Sequence, residues 1–298
     1  MTGPVWQNGR LMDMPNALIP ADASAIGAAR AVFDGCRLFV RKRERSPAAF
    51  TINMARHLER LRHSCETLGI ALTYTARELA IAASDVIQAL RPEDDMGLRW
   101  FVTELARGAE QAPPIVTVFA RPLAGYTKLE PYRINFARHT RWAGHGIPHT
   151  AKTMSHYASA RAETLAAKAA GFDDCLFVNQ FGNVTESPRA NFLFLSPDEI
   201  HSPRVEDGTL AGVTRESLRE VLLAKTALRW NERSIGIGQL ASYSGVLMLS
   251  SSLGVVPVER IGPYRYATAA SRVVADQWQR ALQDPRQIFP TTIDEFIY

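Results

Sequence analysis

Four groups of residues, far apart in the 298-residue chain, carry groups suited to one kind of chemistry. Lys152, in Ala-Lys-Thr-Met-Ser-His-Tyr (151–157), is one of only five lysines among 34 basic residues. A chain that otherwise uses arginine keeps an amine here, after the Gly/Pro-bearing loop 144–148 and at the start of a helical pattern. Arginine stays protonated, whereas a desolvated lysine can lose its proton and form a Schiff base with an aldehyde. The ordinary alternative for any one lysine is a solvated helix start. Glu186, in Val184-Thr185-Glu186, ends a short strand pattern, where it can hold a proton on a ring nitrogen or cap a neighbouring amide. Gly212-Val213-Thr214 opens a helix and offers backbone donors to a phosphate, with Thr214 also a plain N-cap. Arg60, on the flank of an amphipathic helix, offers a fork to an anion or serves as a surface cation. An amine for an aldehyde, a carboxylate for a pyridinium and a cup for a phosphate are together what pyridoxal phosphate requires.

These residues depend on the elements that carry them. Asn8-Gly9 between the apolar residues of 5–12 predicts an opening hairpin. Residues 29–40 read as one or two strands, and 46–51 as a turn and a return strand. From Asn53, Met54, Leu58, Leu61, Cys65 and Leu68 recur at helical spacing and Gly69 is the stop, so Arg60 falls beside the apolar stripe. A second helix is expected over 76–90, ended by Pro92, then strands at 98–105 and 114–120. The periodicity breaks at Arg121–Thr127, the expected domain boundary. Beyond it come a strand at 132–137 and an alanine-rich helix over 155–170 ended by Gly171. A hairpin of 175–179 and 183–185 follows, then a strand at 191–195, a helix from Arg215 to about Thr226, a buried strand at 244–250 and a helix over 267–282. Strands and helices in both halves give an α+β protein.

Composition narrows the field. With 46% hydrophobic residues the chain can build two domains with sizeable cores. No apolar run reaches membrane-span length and no signal-peptide pattern opens the chain, so a cytoplasmic location without membrane partners is expected. Cys36, Cys65 and Cys175 are odd in number and widely spaced, which reads as buried thiols rather than disulfides or a metal site. The net charge of +4 suits either a nucleic-acid surface or an anionic small-molecule substrate. The basic run Arg37–Arg45 lacks any nucleic-acid-binding pattern around it and reads as a solvated hairpin face.

Order and spacing say more than any single group. Lys152-x4-Tyr157, then Val184-Thr185-Glu186-x4-Asn191, then Leu210-Ala211-Gly212-Val213-Thr214-Arg215, then Ser250-Ser251 with Pro257-Val258, resembles the fold type IV pyridoxal-phosphate enzymes. Phe33-Asp34-Gly35-x-Arg37 and Arg56-His57-Leu58-Glu59-Arg60-Leu61 are similar to the N-terminal signatures of that family, so the likeness covers nearly the whole chain. Branched-chain aminotransferases are the nearest group, with D-amino-acid aminotransferases and aminodeoxychorismate lyase as relatives. The resemblance implies a two-domain α+β fold of the D-amino-acid-aminotransferase type. A small N-terminal α/β domain (1–120) and an interdomain loop (121–131) precede a larger, β-barrel-like domain with helices (132–298) that binds the cofactor. It also implies that Lys152 holds the Schiff base and carries a proton between the substrate α-carbon and the cofactor. Tyr157 contacts the phenolic oxygen and Glu186 the ring nitrogen. Arg60, the amides of Val213 and Thr214 beyond Gly212, the Thr214 hydroxyl and Ser251 bind the phosphate, Leu210 packs on the ring, and Asn191 and Ser250 complete the cofactor set.

The substrate side departs from the branched-chain pattern. That group carries Tyr-x-Arg-Pro where this chain reads Gly97-Leu98-Arg99-Trp100, so Arg99 is kept and the tyrosine is lost. Tyr126, in a matching Gly-Tyr, and Ser252 join Arg99 as expected substrate contacts. Arg30 and Arg189 stand where small or neutral residues are usual, which points to a more anionic substrate, to compensation for the lost tyrosine, or to surface ion pairs. The implied reaction is ping-pong transfer of an amino group between an amino acid, branched-chain or specialised, and a 2-oxo acid such as 2-oxoglutarate. A homodimer is implied because family sites are completed by the partner's N-terminal domain. A lyase, a D-amino-acid transaminase and a non-catalytic basic binding protein are the alternatives.

Overall fold

The computed structural model describes residues 3–41, 48–105, 112–123, 130–144, 146–289 and 291–298. Contacts group these into two compact units that are not contiguous in sequence: Met1–Gly125 with Ala151–Ser155 and Phe289–Tyr298, and Tyr126–Thr150 with His156–Ile288.

The first unit contains β1 (Pro4–Gln7), β2 (Arg10–Asp13), α1 (Ser24–Gly27), β3 (Ala31–Arg41), β4 (Ala48–Ile52), α2 (Met54–Leu68), α3 (Ala76–Leu90), β5 (Met96–Thr103), β6 (Ile115–Pro122) and, from the end of the chain, β15 (Ile293–Ile297). Its strands lie in the order β15-β4-β3-β5-β6-β1-β2, antiparallel at every step. Asn8 and Gly9, with φ of 45° and 86°, make the β1–β2 turn, a conformation that asparagine and glycine tolerate best. In α2 the residues at helical spacing, Met54, Leu58, Leu61 and Cys65, are buried, and Gly69 in the left-handed region closes the last turn onto the Cys65 and Glu66 carbonyls. A Thr75–Glu78 capping box starts α3. Leu79, Val86 and Ile87 of α3 join α2 over Leu38, Leu98, Trp100, Val102 and Val118 of the sheet, each such side chain contributing about 1.5–3 kcal/mol on burial. Strand alternation sends the intervening residues to the opposite face. There Phe33, Phe101 and Phe119 stack at centroid distances of 5.2 and 5.6 Å.

The second unit contains β7 (Tyr132–Phe136), most of α4 (Met154–Ala169), β8 (Asp174–Leu176), β9 (Asn191–Leu195), β10 (Glu199–Pro203), α5 (Val213–Lys225), β11 (Arg229–Arg233), β12 (Gly245–Ser250), β13 (Gly254–Ile261), β14 (Tyr264–Arg265), α6 (Ala269–Gln283) and α7 (Pro285–Ile288). Its strand order is β11-β10-β9-β12-β13-β7-β8, with β14 on β13. The steps β10–β11, β13–β7 and β7–β8 are parallel. The expected hairpin of 175–179 and 183–185 forms as an antiparallel Val178–Val184 bridge flanked by backbone bonds from Asn179 to Asn183, from Thr185 to Phe177 and from Phe177 to Glu186, and Asn179 Oδ1 accepts the amides of Phe181 and Asn183 in the turn. All three cysteines are buried and free, and burial pushes the Cys65 and Cys175 thiols up to about 12. The basic run that begins at Arg37 is followed only to Arg41, since 42–47 lie outside the described residues. Among the described residues no helix is long and apolar enough to cross a membrane.

Candidate active site

In the first unit the site grows from β3 and α2. β3, a largely apolar strand that also carries the buried Arg37, holds Asp34 fully buried, and a buried carboxylate needs charged or hydrogen-bonding partners. α2 supplies them three residues apart on one face. His57 Nδ1 lies 2.8 Å from Asp34 Oδ1, Arg60 Nε 2.7 Å from Oδ2, and Arg60 Nη2 2.8 Å from Oδ1. Because a carboxylate only accepts, Nδ1 of His57 carries the proton. Burial opposes ionisation of Asp34, but Arg60 and then His57 outweigh it and hold the carboxyl well below the usual range. Burial pushes His57 down; Asp34 opposes this, while the charges of Arg60 and Lys152 add to it.

A pH dependence follows from the depressed carboxyl. The unfolded chain takes up the Asp34 proton near pH 4 while the folded one does not, so the stability from this cluster is full above about pH 4 and declines as the pH falls further. Asp34→Asn, which leaves Arg60 buried against a neutral group, is expected to cost about 3 kcal/mol at neutral pH. Urea unfolding from pH 7 to pH 3 should show the wild-type advantage over this variant shrinking below pH 4, and a constant difference would contradict the assignment.

Lys152 is held at the same place. Its carbonyl accepts the Phe33 N–H at 3.2 Å, its own N–H donates to Ser64 Oγ at 2.9 Å, and Thr153 bridges Val32. Nζ sits 5.0 Å from the Phe33 ring centroid. These bonds are why 151–155 cluster with the first unit although the residues on either side do not. Arg99 faces Gly35 across the β3–β5 ladder. A Cβ at Gly35 would stand 2.6 Å from Arg99 Cδ, so the missing side chain makes room for the arginine. At Gly97, Leu123 carbons lie 3.2–3.3 Å from where a Cβ would stand, filling the space a larger residue would take. Arg30 pairs with Glu104 at 2.7 Å, and Ser24 Oγ donates to the same carboxylate oxygen at 2.8 Å. Tyr126 lies outside the described residues.

In the second unit Glu186 is the centre. Its carboxylate accepts Arg141 Nη1 at 2.5 Å, Asn191 Nδ2 at 2.9 Å and the Leu210 amide at 3.0 Å. Arg141 also lies over the Phe177 ring, 4.7 Å from its centroid, and its side chain is only 8% exposed. Burial first, then the charges of Arg141 and His156, push His149 down to about 4. Asn191 Nδ2 reaches the Leu210 carbonyl as well, at 3.0 Å, tying Glu186 to the turn before α5. Gly212 is required there, since a Cβ would fall 1.8 Å from Asn191 Oδ1. No side chain caps α5 at Gly212, and Thr214 Oγ1 lies 3.0 Å from Ser251 Oγ. Ser250 Oγ and Ser252 Oγ are 3.4 Å apart. Tyr157 lies half-buried on α4, and Arg189, 58% exposed, is 3.9 Å from the buried Asp174.

The first unit therefore brings Arg60 and Lys152 to β3 and α2, and the second brings Glu186, Asn191, Leu210 and Gly212 together and Thr214 to Ser251. The sequence reading did not single out Asp34, His57, Ser64 or Arg141 as functional. For Asp34 the available signal was a carboxylate in a largely apolar strand pattern, three residues before Arg37; Arg141 offered none.

The sequence model described as amino-transferase class IV matches residues 31–261. The "probable branched-chain-amino-acid aminotransferase" of Rickettsia bellii is 23% identical over 260 residues, 86% of each chain. A branched-chain aminotransferase of the thermophilic archaeon Thermoproteus uzoniensis, solved with norvaline, superposes with a TM-score of 0.91 at 21% identity, covering 99% of both chains. The pyridoxal-phosphate form of the Thermobaculum terrenum branched-chain amino acid aminotransferase gives 0.91 at 16% identity, covering 99% of this chain and 98% of that one.

Proposed function

Because the chain belongs to the class IV aminotransferases, we propose that it uses pyridoxal phosphate to move an amino group between an amino acid with an apolar, branched side chain and a 2-oxo acid such as 2-oxoglutarate. The observation that carries this reading is the fit of the cofactor's groups to residues already built. An amine stands at Lys152, whose backbone N–H and carbonyl are both hydrogen-bonded. A carboxylate at Glu186 is aimed by three donors. An uncapped helix start at Gly212 adjoins the Thr214–Ser251 hydroxyl pair, and Arg60 is oriented by Asp34.

When bound, the cofactor supplies an aldehyde carbon and a ring that accepts the electrons of the bond broken at the substrate α-carbon. Lys152 Nζ would anchor the cofactor, and as a free amine would move the substrate α-proton as general base and acid. Glu186 holds a proton on the ring nitrogen, and Tyr157 donates toward the phenolic oxygen. The amides of Val213 and Thr214, the hydroxyls of Thr214 and Ser251 and the Arg60 fork take the phosphate. Leu210 packs on the ring, with Asn191, Gly212 and Ser250 shaping its surroundings. Arg99, Tyr126 and Ser252 are assigned to the substrate, with Arg99 as the cation for its carboxylate.

Arg30 is a weaker substrate contact than the sequence reading implied, because Glu104 already balances its charge. Arg189 likewise faces Asp174. The donor class is supported by the branched-chain names of the relatives and by the Phe33–Phe101–Phe119 row on the sheet face opposite the helices. A homodimer, two domains (1–120 and 132–298) joined by a loop at 121–131, and a cytoplasmic location belong to the same proposal. Its test is a screen of single L- and D-amino acids against the cofactor-loaded protein, following loss of the visible absorbance band. Valine, leucine and isoleucine in the L form should bleach the band and 2-oxoglutarate should restore it. Bleaching by D-amino acids alone would replace the donor assignment.

A further inference from the structure

We propose that Ser64 is a positioning residue for Lys152, a role that rests on the reading of Lys152 as the cofactor's anchor. Ser64 is fully buried on α2. Its hydroxyl donates to the Arg60 carbonyl at 2.7 Å, one turn back, a bond that serines in helices often make. That ordinary bond uses the single hydroxyl proton and turns the oxygen's lone pairs outward. One of them accepts the Lys152 N–H at 2.9 Å, from a residue 88 positions away in sequence. This second contact has no part in stabilising the helix.

The consequence for Lys152 is that its peptide is fastened on both sides. β3 takes its carbonyl through Phe33 and bridges the next residue through Val32, and Ser155 Oγ donates to the Ala29 carbonyl at 3.3 Å. Those contacts come from β3 and the residues just before it, and α2 adds an independent one through Ser64. The same α2 turn begins with Arg60, whose fork is fixed by Asp34 of β3. Two groups directed at the cofactor, the Arg60 guanidinium and the Lys152 amine, are thus indexed to one helix turn, Arg60 by its own backbone and Lys152 by the Ser64 hydroxyl. Without that hydroxyl the 151–153 segment loses its Lys152 N–H bond to α2, and a small shift of the backbone is passed along the lysine stem to Nζ. Catalysis is sensitive to such shifts, since a misplacement of about 1 Å can cost about a hundredfold in rate.

The experiment compares wild type, Ser64→Ala and Ser64→Cys as cofactor-loaded enzymes. It measures kcat and KM for the amino donor, the rate of cofactor release into a trapping protein, and the pH midpoint of the visible band, with thermal midpoints alongside. Ser64→Ala is expected to lower kcat about tenfold, to leave KM within about twofold, to speed cofactor release about three- to tenfold, as the loss of one hydrogen bond allows, and to move the pH midpoint. Ser64→Cys, with a weaker acceptor of similar size, should fall between the two, and it carries all the readouts if Ser64→Ala does not fold. A lowered thermal midpoint with kcat, release and pH midpoint unchanged would reduce Ser64 to a structural residue and overturn the proposal. A wild type that shows no visible band fixed by borohydride would instead remove the anchoring role of Lys152 itself.

Discussion

Lys152→Ala is expected to lower kcat by at least about a thousandfold, the range associated with loss of a positioned proton-transfer group and covalent anchor. The variant should fold, because the Lys152 backbone bonds, N–H to Ser64 and C=O to Phe33, do not depend on its side chain. Cofactor binding without turnover is therefore the expected phenotype, with the phosphate groups and Arg60 still in place. A rate within tenfold of wild type, measured with saturating amino donor, would end the assignment. Small amines added to the medium should restore a fraction of the rate, since they can carry the proton that Nζ no longer moves.

The second large effect is expected from Glu186→Gln. Here two losses coincide. The ring nitrogen loses an anionic partner, which should lower kcat by about a hundredfold or more, in line with the removal of a preorganised charge in other active sites. Arg141, buried against Phe177, keeps its charge without a counterion, which should cost about 3 kcal/mol of stability. Combining this change with Arg141→Leu separates the two. The double variant should regain stability in urea unfolding while kcat stays low. Recovery of both together would mean that Glu186 acts on stability alone.

Local chemistry made much of the fold legible. The spacing of Met54, Leu58, Leu61 and Cys65 with a closing glycine could only be a helix against a core, and it became α2 with those residues buried. Asn8-Gly9 gave its turn, and the apolar runs at 191–195 and 244–250 became β9 and β12, the latter starting one residue later. What stayed hidden depends on distant partners. The β15 strand has a short, mixed sequence and exists by pairing with β4, more than two hundred residues away. β11, Arg-Trp-Asn-Glu-Arg, reads as a polar loop and is a strand only because β10 lies parallel beside it.

The candidate site divided in the same way. Lysine scarcity, helix starts and glycine placement pointed to Lys152, Thr214 and Gly212, each a local signal. The pairing of Asp34 with Arg60 and of Glu186 with Arg141 needed the fold, because charge complementarity across 26 and 45 positions leaves no periodic trace. The attachment of Lys152 to β3 and α2 was likewise invisible, since in sequence it belongs to the helix of Tyr157. The arginines at 30 and 189 were conspicuous as charges, yet their acidic partners Glu104 and Asp174 could be found only in three dimensions.

The central claim is that Lys152 carries the cofactor. Reducing the cofactor-loaded protein with borohydride, digesting it with trypsin and locating the pyridoxyl group by mass spectrometry tests it directly. The account requires the group on Lys152, within an uncleaved Trp142–Arg161 peptide. Finding it on Lys168, on Lys225 or on no lysine at all, in protein that still transaminates, would contradict the account.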